Sequence, residues 1–314
     1  MKSSRVLYFS GINLNPENIK ILRNKFFLTK LHKLSDVNKL NNKCINQIVA
    51  IYCDQKFFYD KNFLIKFNNI KFLISSTTST DFIDKNFCTK KKIKIISLEN
   101  DKKFLKKITP TAEHTLGLIL MISRNYYSAI KFVNKGIFNR RPFGGFKMLS
   151  KSTLGIIGYG RLGKLLNKIS KNIFKKIYKA DIIDGQVTYK KNLKKIFENC
   201  DFISLHINAK KNYEFFDQKN LPKITKKFFL INTSRGEVIN EKFVMKLIKK
   251  KIIKGYATDV IKNEFSNNFQ LKKNIFFKNR NKYNILITPH IGGSTIDAWS
   301  LTEKRVISKL LKKF

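Results

Sequence analysis

The stretch LGIIGYGRLGK, residues 154–164, is the part of the sequence that indicates the fold class most directly. It begins with an apolar run typical of a buried strand, continues with glycines at 158, 160 and 163, and then takes up helical spacing. A strand, a glycine turn and a helix in this order are typical of a parallel α/β sheet. Glycine turns after strands also occur without a ligand. The residues that follow at fixed distances must therefore separate a dinucleotide site from a simple tight turn.

The next predicted strand, KKIYKAD, ends at Asp181, 18 positions after Gly163. In a dinucleotide turn, Gly158 would permit the tight bend, Gly160 would let the backbone approach a pyrophosphate, and Gly163 would let the helix pack against the strand. A carboxylate at the position of Asp181 can accept hydrogen bonds from the adenosine ribose and would repel a 2′-phosphate. We therefore predict a site for NAD rather than NADP; the alternative is that Asp181 is an ordinary residue at a strand end.

Apolar runs alternate with helical segments along most of the chain, which predicts parallel sheets. In the first third, the predicted strands are RVLYF (5–9), QIVAIYC (47–53), KFLISS (71–76) and IKIIS (93–97). Helical segments are predicted near 17–30, 58–67 and 82–90, and one long helix from Pro110 to Gly136 precedes the glycine turn. Further strands are predicted at 201–207, 227–233, 255–260 and 284–289, with helices near 218–225 and 240–250 and at the end of the chain.

The formal net charge of +43 would fit a protein that binds nucleic acid or an anionic membrane. The basic residues are mostly lysine. Asparagine, isoleucine and phenylalanine are also abundant, and all four residue types use AT-rich codons. The lysines are spread over the whole chain, and no motif of aromatic and basic residues that reads RNA is present. We favour compositional drift, and expect neither a specific nucleic-acid partner nor a membrane partner, although the charge should attract an anionic substrate.

Several absences indicate the compartment. The sequence has no run of 18 apolar residues, so no membrane span is predicted. The first apolar run is too short for a signal peptide. The four cysteines form no CxxC pair, so neither a metal site nor a redox pair is predicted. We therefore expect a cytoplasmic protein.

Three of the predicted strands end in polar residues. The polar ends of these strands carry Thr233, Ser234 and Arg235; Asp259 and Glu264; and His290, Gly292, Gly293 and Ser294. In a doubly wound sheet, ligands bind outside the carboxyl ends of the strands, so these clusters should lie on the side of the glycine turn.

Arg235, Glu264 and His290 supply the three groups that oxidation of a hydroxy acid next to a nicotinamide requires. An arginine can bind a carboxylate through two parallel hydrogen bonds. A histidine can transfer the hydroxyl proton near neutral pH, and a carboxylate can orient its ring. Each residue alone has a simpler interpretation. His290 could be a polar cap at a strand end, Arg235 a surface ion-pair partner, and Glu264 a solvated loop residue. Their presence at successive strand ends favours a catalytic interpretation.

With these motifs in order, the chain from about residue 70 onward resembles the D-isomer-specific 2-hydroxyacid dehydrogenases, nearest the phosphoglycerate dehydrogenase-like branch. LGIIGYGRLGK is similar to the cofactor turn of the family, and LINTSRGEVIN, DVIKNE and TPHIGGST are similar to its arginine, glutamate and histidine motifs. TPTAEHTLGLIL is similar to its inter-domain helix. The resemblance implies an α/β fold of two doubly wound, Rossmann-like parallel-sheet domains: a smaller substrate domain (1–99 plus 295–314, with the C-terminal helix) and an NAD-binding domain (100–294).

The resemblance also implies roles for individual residues. His290 would be the acid/base, Glu264 its partner, and Arg235 the anchor of the substrate's carboxylate and carbonyl oxygen. The implied cofactor-binding residues are Gly158, Gly160, Arg161, Leu162, Gly163, Asp181, His206, Ile207, Thr233, Ser234, Arg235, Asp259, His290 and Gly293. The implied substrate-binding residues are Thr77, Thr78, Ser79 and Arg235, with Ser79 where the family usually has glycine. No metal is implied.

The function that follows is hydride transfer between NAD and C2 of a small D-2-hydroxy acid, with D-3-phosphoglycerate or a related phosphorylated or sugar-derived acid as the expected substrate. The alternative is a non-catalytic protein on the same fold that senses NAD and binds a partner. The family is typically dimeric through the long helix and the loop after it, so we expect a homodimer. Only 24 residues follow His290, so no C-terminal regulatory domain is expected.

Overall fold

The computed structural model of the chain describes residues 3–12, 14–182, 185–266 and 268–314. The chain forms two compact units: unit 1 comprises Met1–Ile108 and Ser294–Phe314, and unit 2 comprises Thr109–Gly293. The sequence places the first division at 99/100. In the structure, Leu105 and Ile108 pack into the core of unit 1, so the chain leaves this unit only after residue 108.

Unit 1 is built on a parallel sheet with the strand order β2-β1-β3-β4-β5. Its strands are β1 (Arg5–Phe9), β2 (Phe27–Leu31), β3 (Ile48–Tyr52), β4 (Phe72–Ile74) and β5 (Lys94–Ile96). Its helices are α1 (Pro16–Lys25), α2 (Asn42–Gln47), α3 (Lys61–Leu64), α4 (Lys85–Lys90) and α5 (Lys102–Leu105). The predicted helix over 17–30 is wrong in its last third, because β2 pairs with β1 along the sheet edge while exposing part of its surface.

The final helix of the chain, Ile296–Leu311, belongs to unit 1. Its apolar face places Val306, Ile307 and Leu310 in the same core as the strands. Asp101 binds this helix through Arg305 (Nε–Oδ2 2.6 Å) and Lys309 (Nζ–Oδ2 3.0 Å). The C-terminal segment is therefore an integral layer of the first unit.

Unit 2 is built on a six-stranded parallel sheet with the order β11-β10-β9-β8-β6-β7. Its strands are β6 (Thr153–Ile157), β7 (Lys176–Ala180), β8 (Phe202–Leu205), β9 (Phe228–Asn232), β10 (Ile253–Thr258) and β11 (Ile285–Ile287). Its helices are α6 (Pro110–Ser123), α7 (Tyr126–Val133), α8 (Arg161–Ser170), α9 (Gln186–Asn199), α10 (Glu241–Lys249) and α11 (Ile275–Asn279), so the terminal helix Ile296–Leu311 is α12. The strand order reverses between β6 and β8, which creates the crevice where doubly wound sheets bind ligands.

Two predicted helices of unit 2 differ from the structure. The long helix predicted over 110–136 breaks between α6 and α7, because Asn125 takes a left-handed backbone conformation (φ 51°). The segment near 218–225 forms turns rather than a helix. None of the helices in the ranges given above is long and apolar enough to cross a membrane, and all four cysteines are free thiols.

Asp201 anchors the amino-terminal edge of the unit 2 sheet and provides a test of the fold. Its Oδ2 accepts hydrogen bonds from the Thr153 N–H (2.9 Å) and from Lys147 (3.2 Å), while Oδ1 pairs with Lys226 (3.0 Å). Burial alone would raise the pKa of Asp201, but these partners outweigh it and lower the pKa to about 2. The carboxylate therefore stabilises the fold above its ordinary pKa, and this contribution is lost as the pH falls through about 2.

We expect Asp201→Asn to lower the free energy of unfolding by about 2 kcal/mol at pH 7 and to flatten the loss of stability between about pH 4 and pH 2. Urea unfolding at several pH values measures both effects. Glu198→Gln is the matched control, because the pair that Glu198 forms with Lys194 on α9 is exposed. An Asp201→Asn curve parallel to that of the wild type would contradict the assignment.

Candidate active site

The glycine turn between β6 and α8 uses each glycine differently. Gly158 has a left-handed backbone (φ 91°), and a Cβ there would lie 2.6 Å from the carbonyl carbon of His206. A Cβ on Gly163 would overlap the carbonyl oxygen of Gly158, so α8 can approach the turn only without a side chain. Gly160 faces open space and begins α8 without a side-chain cap. The N-terminus of α8 therefore has room for a pyrophosphate, which fits a dinucleotide.

The other predicted adenosine-side residues adjoin this turn. Asp181 directly follows β7, and its Oδ2 accepts a hydrogen bond from the backbone N–H of Tyr159 (2.5 Å). Arg161 and Leu162 occupy the first turn of α8 and are half-buried. The carboxylate predicted to bind ribose is thus attached to the turn predicted to bind phosphate.

The glycine turn offers a matched pair of substitutions. We expect Gly160→Ala to leave thermal unfolding unchanged, because its Cβ meets open space, and to weaken NADH binding at least about tenfold, because the methyl group occupies the space for the pyrophosphate. Gly163→Ala should instead lower the free energy of unfolding by about 1 to 3 kcal/mol through overpacking. NADH fluorescence titration and thermal unfolding separate the two effects. Equal NADH affinity in Gly160→Ala and the wild type would contradict the assignment.

His206 and Ile207 follow β8 and border the glycine turn from the other side of the crevice. The His206 Nε2 shares a hydrogen bond with the Ser204 hydroxyl (2.9 Å), whereas its Nδ1 is buried without a partner within the described part of the chain. Burial lowers the pKa of His206 to about 4, so its ring is neutral at physiological pH. His206 is therefore a neutral, half-buried imidazole next to the turn.

A buried asparagine at the end of β9 organises the arginine motif. Asn232 Oδ1 accepts hydrogen bonds from the N–H (3.0 Å) and the hydroxyl (2.7 Å) of Ser234, and its Nδ2 donates to the carbonyl of Arg235 (2.9 Å). The Thr233 hydroxyl bonds that of Thr115 on α6 (2.8 Å). The sequence analysis missed the role of Asn232, although its place inside the motif LINTSRGEVIN was a usable signal.

The Arg235 side chain is half-buried, and its Nη1 donates to the carbonyl of Ser234 (2.7 Å). Within the described ranges, no carboxylate forms an ion pair with it. A guanidinium has five N–H donors, so most of the hydrogen-bonding capacity of Arg235 remains for an anion.

The arginine turn and the glutamate loop pack backbone against backbone. A Cβ on Gly236 would overlap the backbone of Ile261 and Lys262, and the Asn263 N–H donates to Glu237 Oε1 (3.0 Å). The glycine after Arg235 is thus required for close approach. This packing fixes the distance between the segment that carries Arg235 and the segment that carries Glu264.

Glu264 and His290 form a direct pair. The His290 Nδ1 lies 2.7 Å from Glu264 Oε1, and both side chains are only partly exposed (32% and 15%). Because Nδ1 contacts the carboxylate, the ring nitrogen that remains for another ligand is Nε2. The Phe265 ring lies beside the imidazole, with the two centroids 5.6 Å apart.

The loop after β11 holds His290 in a left-handed conformation (φ 54°). The His290 N–H donates to the carbonyls of Asp259 (2.9 Å) and Thr288 (3.0 Å). The carboxylate of Asp259 accepts hydrogen bonds from the Thr288 hydroxyl and from the next two backbone N–H groups of the loop. Burial alone would raise the pKa of Asp259, but the nearby His114 and the hydrogen bonds from Thr288 and the loop backbone outweigh it and lower the pKa.

The remaining predicted residues are placed as follows. Gly293 is exposed at the end of the histidine motif. Thr77, Thr78 and Ser79 form a loop of unit 1 after β4, in which the Thr77 hydroxyl donates to the Ser79 carbonyl (2.7 Å). The Ser79 hydroxyl donates to Asp81 Oδ2 (2.7 Å). No group of three or more potential metal ligands occurs among the residues that the structure describes.

Comparison with known proteins identifies the family. Residues 116–292 match the model of the D-isomer specific 2-hydroxyacid dehydrogenase NAD binding domain. The D-3-phosphoglycerate dehydrogenase of Haemophilus influenzae is 29% identical over 206 residues, which are 64% of this chain and 49% of that protein. The glyoxylate reductase of Thermococcus litoralis is 27% identical over 267 residues, 81% of this chain and 76% of that protein. The chain thus spans about half the length of the first relative and about three quarters of the second.

Solved structures share the fold. The D-lactate dehydrogenase of Aquifex aeolicus, complexed with NAD and lactic acid, superposes with a TM-score of 0.76 at 21% identity and covers 98% of this chain and 95% of its own. A putative D-isomer specific 2-hydroxyacid dehydrogenase from Polaromonas gives a TM-score of 0.79 at 19% identity, covering 100% and 97%. These findings confirm the predicted pair of parallel-sheet α/β domains and the predicted cofactor, NAD. The chain belongs to the D-isomer specific 2-hydroxyacid dehydrogenase family.

Proposed function

We propose that the chain is an NAD-dependent oxidoreductase that transfers a hydride between the nicotinamide and C2 of a small D-2-hydroxy acid. The observation that carries this proposal is the 2.7 Å contact between His290 Nδ1 and Glu264 Oε1. Arg235, half-buried and without an ion pair in the described ranges, is held on the neighbouring loop by the packing of Gly236. The residues that we propose as the acid/base, its orienting carboxylate and the carboxylate anchor thus lie in one unit.

His290 holds and moves the proton. During oxidation, Nε2 takes the proton of the substrate hydroxyl, and during reduction the imidazolium returns it from Nε2 to the carbonyl oxygen. Glu264 keeps the proton on Nδ1 and stabilises the charged ring. The nicotinamide, when bound, accepts or supplies the hydride.

The remaining residues bind and orient. The Arg235 guanidinium binds the substrate carboxylate through two hydrogen bonds, which fixes C2 relative to His290. Gly160, Arg161 and Leu162 would hold the pyrophosphate, and Asp181 the ribose. The residues proposed on the nicotinamide side are His206, Ile207, Thr233, Ser234, Asp259 and Gly293.

The substrate that we propose is D-3-phosphoglycerate or a related phosphorylated or sugar-derived acid. Two kinds of observation support an anionic acid of this class. The relatives include proteins named D-3-phosphoglycerate dehydrogenase, glyoxylate reductase and glycerate dehydrogenase. The net charge of +43 favours the approach of an anion. Thr77, Thr78 and Ser79 are the further residues that we propose bind substrate.

A panel of 2-keto acids tests the function and the substrate together. Purified protein is titrated with NADH by fluorescence, and NADH oxidation is then followed with 3-phosphohydroxypyruvate, hydroxypyruvate, glyoxylate and pyruvate. We expect binding of NADH and the highest kcat/KM with the phosphorylated acid. A higher kcat/KM with one of the three unphosphorylated keto acids would overturn the substrate assignment alone. NADH binding without turnover of any acid would favour the non-catalytic NAD sensor.

We also propose that the chain forms a homodimer through α7. Tyr126, Ile130 and Val133 repeat at helical spacing and are all exposed, and Phe138 is almost fully exposed in the loop that follows. Contiguous apolar patches of this kind mark interfaces.

We expect Ile130→Asp to convert the dimer into a monomer, because a carboxylate in an apolar interface is left without a partner. Light scattering after gel filtration measures the mass. Ile65→Asp is the matched control, since Ile65 is equally exposed but lies in unit 1. A wild-type mass of one chain, or a dimer that survives Ile130→Asp, would contradict the proposal.

A further inference from the structure

We propose that His114, on α6, is a positioning residue that holds the loop carrying His290 in its working conformation. This inference rests on the proposed function, because it assigns a role in the reaction to a residue that contacts neither Glu264 nor Arg235 in the structure. It follows from a hydrogen-bonded chain that runs from α6 through Thr288 and Asp259 to the His290 loop.

The His290 loop depends on one buried carboxylate. Asp259 is 2% exposed, and its Oδ1 accepts hydrogen bonds from the Thr288 hydroxyl (2.6 Å) and the Ile291 N–H (2.9 Å). Its Oδ2 accepts a hydrogen bond from the Gly292 N–H (2.7 Å). Three donors from positions on both sides of His290 therefore converge on Asp259, and they hold a non-glycine residue in the left-handed region.

His114 attaches this arrangement to a different element. Its Nε2 lies 3.1 Å from Thr288 Oγ1 and 3.4 Å from Asp259 Oδ1. Because the Thr288 hydroxyl donates its proton to Asp259, its oxygen can only accept from His114, so the Nε2 of His114 carries a proton. The chain of donors thus runs in one direction, from His114 to Thr288 to Asp259.

The fit around His114 is tight. A Cβ on Gly292 would lie 2.9 Å from Asp259 Oδ2 and 3.4 Å from His114 Cδ2. The loop therefore closes onto the imidazole and the carboxylate only because position 292 has no side chain. Loss of the His114 ring would leave a space on this side of the loop and an unfilled acceptor on Thr288, and both effects would loosen the segment that orients His290.

Kinetics of three variants test the inference. We expect His114→Ala to lower kcat about 10- to 100-fold, while KM for the keto acid and the Kd of NADH change less than about threefold. His114→Gln should recover most of kcat, because its amide N–H can reach the position of Nε2. The matched control is His32→Ala, which removes a comparable hydrogen bond to Ser10 in unit 1 (3.1 Å) and should leave kcat unchanged.

A second measurement needs neither cofactor nor turnover. Hydrogen exchange of the peptide that contains Ile291 and Gly292 should be faster in His114→Ala than in the wild type and should return toward the wild-type rate in His114→Gln. Unfolding midpoints of the three variants show whether the whole fold has changed.

The outcomes separate this inference from the proposed function. If the wild type turns over a keto acid and kcat is unchanged in His114→Ala, the positioning role is overturned and the dehydrogenase function stays intact. Unchanged exchange of the loop in His114→Ala would overturn the positioning role even if the wild type had no turnover. A fall of kcat in His114→Ala that His114→Gln does not relieve would also overturn it, since the hydrogen bond would then not be the cause.

Discussion

Replacing His290 with asparagine is expected to lower kcat by roughly 10²- to 10⁴-fold, the range that a positioned acid/base contributes. Asparagine is the sharper choice than alanine, because it tolerates the left-handed backbone that His290 adopts. The loop should therefore keep its conformation, and the Kd of NADH should stay within about threefold of the wild type. Stopped-flow NADH oxidation and fluorescence titration measure the two quantities.

Glu264→Gln provides the companion test of this pair. The glutamine can still contact His290 Nδ1 but cannot stabilise the imidazolium, so a smaller fall in kcat, about 10- to 100-fold, is expected. Full activity of His290→Asn would show that proton transfer occurs elsewhere. An equal and complete loss of NADH binding in both variants would show that the residues maintain the fold rather than the chemistry.

Replacing Arg235 with alanine is expected to lower kcat/KM by roughly 10²- to 10³-fold, because the substrate carboxylate loses its charged partner. Arg235→Lys should recover little of this loss, since an ammonium group cannot form the two parallel hydrogen bonds of a guanidinium. The distinguishing measurement compares a 2-keto acid with its amide. The wild type should strongly prefer the acid, and this preference should largely disappear in Arg235→Ala.

Arg280→Ala is the matched control for this prediction. Arg280 is also half-buried and donates to a nearby backbone carbonyl, that of Phe277. Its replacement should leave the preference for the acid unchanged. If Arg235→Ala still discriminated fully between acid and amide, the carboxylate anchor would have to be another residue.

The glycine turn and the polar strand ends could be predicted from sequence because their signals are local. Gly158, Gly160 and Gly163 lie within six positions, and buried parallel strands are continuous apolar runs that end abruptly. Once β10 and β11 are neighbours in a parallel sheet, the residues after them must meet at the same edge. The proximity of Glu264 and His290 follows from that order.

The features that sequence analysis missed depend on contacts between distant segments. The strand β2 is partly exposed, and only its pairing with β1 makes it a strand. The break at Asn125 reflects a backbone conformation that helical spacing does not report. Asn232 and His114 lie within the stretches LINTSRGEVIN and TPTAEHTLGLIL, but the sequence does not report their roles, because their partners are the backbone of the next turn and a hydroxyl 174 positions along the chain.

Transfer of deuterium from NADH labelled on the hydride position tests the central claim most directly. Purified wild-type protein, the labelled cofactor and the best keto acid of the panel are incubated together, and the product is examined by mass spectrometry and chiral chromatography. We expect deuterium at C2 of the D-2-hydroxy acid, with formation of this product at least about 100-fold slower in His290→Asn. Bound NADH with no labelled hydroxy acid, or labelled product formed equally fast by His290→Asn, would contradict the claim.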